Sequence, residues 1–143
     1  MRELYLAFPL LALALFANGH IQAAQDGRQL VQLPEMMQTH MLANMRDHLA
    51  TLDEILAALA EGKLDRAADI AENRLGMSSL DKHGASHMAP YMPEQMRNTG
   101  TEMHRAASRF ALTAQEGDPL RAYASLQHVT AECVNCHAAY RIR

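Results

Sequence analysis

Apolar residues recur at three- and four-residue steps along most of this chain, and no stretch alternates convincingly with period two. The sequence therefore predicts helices and no strands. The first helix is expected from Pro34, which suits a first helical position, to Ala60. In it Met37, Met41, Met45, Leu49, Leu52, Leu56 and Leu59 form one apolar stripe, and Gly62 ends it. A second helix is expected over Leu64 to Leu75. It buries Leu64, Ala67, Ala68, Ala71 and Leu75, turns Asp65, Arg66, Asp69 and Glu72 to water, and has Gly76 as its C-terminal cap.

Met77 to Met92 holds Ser78-Ser79, Gly84 and Pro90, so it reads as a structured connection rather than one regular helix. The third helix starts near Pro93 and stops at Glu116-Gly117, with Met96, Met103, Ala107, Phe110 and Ala114 inward. Asp118 then caps a fourth helix, with Pro119 at its first position. Four amphipathic helices with mostly short connections predict an all-α fold, an antiparallel four-helix bundle. The many alanines allow close helix approach but leave little apolar bulk in the middle.

The N-terminus changes the picture of where the chain works. Leu4 to Phe16 is an apolar run with one proline, followed by Asn18, Gly19 and Ala23-Ala24. That run matches the core of an export signal and is too short to span a bilayer. Residues 1–24 are thus expected to be a cleaved signal peptide and 25–143 a single domain, located in the periplasm, with no stable membrane insertion after cleavage. The 143 residues carry a formal net charge of −3 without strong clustering of Lys and Arg, which argues against nucleic acid as a partner.

The chain has two cysteines, and they stand in Cys133-Val134-Asn135-Cys136-His137. Two cysteines three apart with a histidine directly after the second make the attachment signature of a covalently bound c-type haem. The thiols add to the two vinyl groups, and the imidazole becomes an axial ligand of the iron. At about 100° per residue, Cys133 and His137 lie roughly one helical turn apart on one side, with Cys136 close to that stripe. A thioredoxin-like redox pair would need a βαβ setting, and a structural zinc site would need four ligands, commonly two pairs. Neither pattern is present. One haem c is the expected cofactor, and both Met and His, abundant here, can ligate its iron.

A single haem motif at the far C-terminus, on the last helix of a bundle and followed by Tyr140-Arg141, resembles the class II c-type cytochromes, the family of cytochrome c prime and its soluble low-spin relatives. The resemblance implies a haem near one end of the bundle and a distal side formed by the first helix. By position there, Met41 is the best match for a distal ligand, with Met37 and Met45 one turn to either side. Low-spin members carry methionine at that place and shuttle electrons. High-spin members carry an apolar residue, leave the iron five-coordinate and bind small gases. The basic residue that many high-spin members place about four positions before the distal one falls here on Met37. The implied partners are donor and acceptor redox proteins, and a homodimer is within the family's range. On this reading the protein is an electron carrier rather than an enzyme.

The remaining donors read as less specific. His83 and His87, with Met88 and Met92 nearby, have the chemistry to bind copper or cap a haem, but in a polar connection they are expected to be exposed. His40 and His48 are expected beside the apolar stripe of the first helix, at solvent or at a haem rim. His104 and His128 are expected on outward or boundary faces. Glu132, Arg141 and Arg143 read as solvated surface. No catalytic acid, base or nucleophile is assigned.

Overall fold

The computed structural model describes residues 26–143, so the expected leader lies outside the described residues. Helices α1 (Glu35–Ala60), α2 (Leu64–Arg74), α3 (Ala85–Met88), α4 (Glu94–Gln115) and α5 (Pro119–Ala139) make an all-α bundle. The four long helices fall within a residue or two of their expected bounds. Asp118 accepts hydrogen bonds from the backbone N–H groups of Leu120 and Arg121, at 2.9 and 3.1 Å, which satisfies two donors that the helix itself leaves open. Gly76 follows α2 with ordinary φ. Its role is space, because a Cβ there would lie 2.7 Å from the Glu72 carbonyl oxygen. The connection from Met77 to Met92 is built from single 3-10 turns at Met77–Ser79 and Ala89–Tyr91 flanking α3.

Two dipeptides do pair as strands, contrary to expectation. Strands β1 (Gln29–Leu30) and β2 (Tyr140–Arg141) run parallel, with Gln29 opposite Tyr140 and Leu30 opposite Arg141. Val31 N–H extends the ladder to the Arg141 carbonyl at 2.8 Å. Two residues are too few to show alternation, so only the folded chain could reveal this clip.

Helix α2 packs on α1 and on α4, and α4 packs on α5, whereas α1 makes little backbone contact with α4 or α5. The main core lies between the closely packed helices, around Phe110, Ile55, Leu75 and Val129 with alanines from α2, α4 and α5. A second, smaller cluster of Val31, Met41, Met88 and Met96 sits at the other end, with Cys136 and Tyr140 packed against it.

One expectation about α1 fails in part. Its buried face is Met41, Asn44, His48, Thr51, Ile55, Ala58 and Leu59, while Leu49 is 71% exposed and Leu56 47%. The helix is rotated from the all-apolar stripe, so polar residues stand on its inner face. Asn44 reaches the His83 carbonyl at 2.9 Å, and the Thr51 hydroxyl donates to the Asp47 carbonyl at 2.7 Å. No helix among the described residues is long and apolar enough to cross a membrane.

Candidate functional site

A cavity of about 420 Å³ opens where α1 stands away from α4 and α5. Its wall is largely apolar and its volume is in the ordinary range for small-molecule and cofactor sites. Met41 and Met45 reach it from α1, Met88 from α3, Met96 and Met103 from α4, and Cys136 and His137 from the last turn of α5. The local sequence accounts for this convergence. Helix α5 ends at Ala139, and β2 carries the chain across the cavity's edge to the clip with β1, bringing Tyr140, Arg141 and Ile142 to the wall.

Of the four residues expected to hold a haem, the structure brings Met41, Cys136 and His137 onto this one cavity. Cys133, one turn earlier, is partly buried against the main core, its thiol 3.5 Å from the Val129 carbonyl. Neither cysteine is in a disulfide. Burial pushes both thiols above the usual range, so neither is a ready thiolate as the chain stands. His137 is exposed on its open side, and its carbonyl accepts from Arg28 at 3.4 Å.

Several cavity residues were expected elsewhere. His83 is buried rather than exposed, and His104 is buried rather than on an outward face; both line the cavity. His48 is also inside. The three imidazoles form a cluster, with ring centroids 4.6 Å apart for His48 and His83, 5.3 Å for His83 and His104, and 5.8 Å for His48 and His104. His104 Nδ1 lies 2.7 Å from the Leu75 carbonyl, and His83 Nδ1 is 3.4 Å from the Ser79 hydroxyl. His48 Nε2 is buried without a partner. Burial is the first cause holding all three below the usual imidazole range, and His48 falls to about 3. His87 and His128 are exposed, as expected.

Arg141 was expected at a solvated surface. It lines the cavity, with Nε buried and lacking a hydrogen-bond partner, and Asp26 at 3.6 Å makes a loose ion pair. Arg28, Arg97 and Arg143 also reach the cavity, which gives a largely apolar site a cationic fringe. The signal for His104 was present in the sequence, three residues before Ala107 and seven before Ala111 on the same helix. The signal for Arg97 and Arg141 was not, because their approach depends on how the connection and the C-terminus cross the bundle end.

Among the described residues, no three His, Cys, Asp or Glu side chains are grouped so as to hold a metal ion by themselves. No protein-family model matches the chain, and neither a curated protein nor a solved structure matches it significantly.

Proposed function

We propose that this protein is a periplasmic monohaem c-type cytochrome that carries electrons, with one haem c bound covalently through Cys133 and Cys136. The observation that carries the reading is the Cys-x-x-Cys-His run on the final turns of α5, with Cys136 and His137 lining the same cavity as Met41. The donor set suits such a group: two thiols that would form thioether bonds, and His137 and Met41 that would ligate its iron. A haem held there supplies one-electron chemistry between ferric and ferrous iron.

The chain's own residues do the rest. The methionines of the wall keep water away, and a Met–His ligand pair favours a raised reduction potential. Arg28, Arg97, Arg141 and Arg143 would offset the negative charge of the haem's carboxylates. Donor and acceptor proteins would meet the protein in small, short-lived contacts, as electron-transfer partners do.

A second reading, a five-coordinate protein that binds nitric oxide or carbon monoxide, draws on the imidazoles along the wall, because distal polarity helps decide between ligand binding and electron transfer. The test is an absorption spectrum of protein exported from cells competent in cytochrome maturation, together with its mass after denaturation. Retained pigment with a far-red methionine-to-iron band in the ferric state, lost in Met41→Ala, supports the carrier. A high-spin spectrum with rapid carbon monoxide binding favours the second reading. Bare polypeptide mass rejects both.

A further inference from the structure

The haem-holding residues leave the imidazole cluster without a task. His48, His83 and His104 come from three different segments, α1, the connection and α4, and meet inside the protein. Each is less than a tenth exposed. Burying three imidazoles carries a desolvation cost, and leaving His48 Nε2 without a partner adds to it. A group that stays unpaired in a folded interior calls for an explanation, and an absent ion is one of the recognised ones.

The arrangement has the marks of a metal site in two respects. Imidazole nitrogens lie about 2.0–2.1 Å from a bound ion, which puts the ring centroids of ligands to one ion roughly 5 Å apart. The observed separations of 4.6, 5.3 and 5.8 Å bracket that figure. Metal-bound histidines also commonly fix their second nitrogen on a carbonyl or other polar group. His104 does so through Nδ1 on the Leu75 carbonyl, and His83 Nδ1 faces the Ser79 hydroxyl. Both rings therefore keep Nε2 for another partner. Burial favours the neutral form of all three imidazoles, the form that binds metal.

Imidazole alone does not complete a site here, since no three nitrogen, thiolate or carboxylate side chains converge as they stand. The same cavity wall offers thioethers, and Met88 and Met96, both buried, belong to one packed cluster. Mixed imidazole and thioether donors without a carboxylate are soft, which disfavours magnesium or calcium and favours monovalent copper.

We infer that the inner wall of the cavity binds one cuprous ion, held by imidazoles of the His48–His83–His104 cluster together with the thioether of Met88 or Met96. The proposed ligands do not include Cys133 or Cys136, although Cys136 packs against the same methionine cluster, and His87, exposed on α3, has no part in it.

The test is a competition for Cu(I) against bicinchoninate, under reducing conditions, with the full exported protein. Wild type should withdraw one equivalent per chain. His83→Gln and the double variant Met88→Leu/Met96→Leu should each bind at least tenfold more weakly, with far-UV circular dichroism recording that they remain folded. Leucine keeps the methionine volume, so the double variant decides the matter if His83→Gln does not fold. No withdrawal by wild type overturns the inference. So does undiminished affinity in the folded double variant, or uptake of Zn(II) with none of Cu(I). The haem spectrum of the same samples is read separately, and the titration is repeated in Cys133→Ala/Cys136→Ala, because free thiols also take Cu(I): wild type without pigment fails the cytochrome reading, and uptake that survives in the cysteine variant keeps this one.

Discussion

The imidazoles of His48 and His83 meet edge to face, 4.6 Å between centroids and 63° between planes, although the two residues come from a regular helix and an irregular connection. A charge on His83 would further disfavour charging of His48, after burial, the larger cause. For His48 the causes in order are burial, then the positive charge that His83 or His104 would carry. Burial of His48, reinforced by its neighbours, makes the stability of the protein depend on pH in a definite sense.

An unfolded histidine titrates near 6.5, whereas folded His48 titrates at about 3. Below pH 6.5 the unfolded chain gains a proton that the folded chain refuses. Stability is therefore fully present above about pH 6.5 and is lost as pH falls toward 3. At roughly 1.4 kcal/mol per pH unit, His48 alone removes about 2 kcal/mol between pH 6.5 and pH 5, and His83 and His104 act in the same direction. Urea midpoints should fall between pH 7 and pH 5, and fall less in His48→Gln. A midpoint that stays flat over that range contradicts the buried neutral cluster.

Gly84 has φ of +62°, and a Cβ there would lie 2.9 Å from His40 Nε2. That nitrogen itself lies 2.9 Å from the His83 carbonyl. Gly84→Ala combines left-handed strain with displacement of His40 and should cost about 1–3 kcal/mol. The thermal midpoint should drop, and the His40 ring resonances should move in an NMR spectrum.

Asn44 Nδ2 donates to the same His83 carbonyl at 2.9 Å, and Asn44 is buried. Asn44→Ala removes that donor and leaves space beside the cavity, so a loss of about 1–2 kcal/mol is expected from chemical denaturation. Asn44→Asp should be worse, because a carboxylate cannot donate and would be buried facing a carbonyl.

Phe110 is fully buried at the centre of the main core. Phe110→Ala should cost about 3–5 kcal/mol, enough to unfold a marginal domain. The cavity end should behave differently. Met45, only partly buried, should tolerate leucine with a change below about 1.5 kcal/mol, measured by the same denaturation.

If the cavity holds a covalent haem, removing its attachment by Cys133→Ala/Cys136→Ala should lower the thermal midpoint by more than the two side chains account for. A ligand confined to the folded state stabilises that state, and here it would also bridge the gap that α1 leaves beside α4 and α5. Equal midpoints in pigmented wild type and this variant would show that the cavity is not filled by such a group.

The four long helices and their approximate limits were legible in the residues, whereas the short α3 within the connection was not. Apolar spacing, Pro34, Asp118-Pro119 and the glycine stops act locally, within a turn or two of chain. The Cys133–His137 signature was legible for the same reason. Which face of α1 turns inward was not, since Leu49 and Leu56 carry a stronger apolar signal than Asn44, His48 and Thr51. The outcome depended on partners such as the His83 carbonyl, far away in sequence. The gathering of three imidazoles was hidden likewise. Burial of a histidine is decided by what the opposite segment offers it, and that exists only once the connection has crossed the bundle and the two chain ends have been clipped together. Local periodicity thus determined the helices and the motif, and long-range hydrogen bonding and packing decided which polar groups face the cavity.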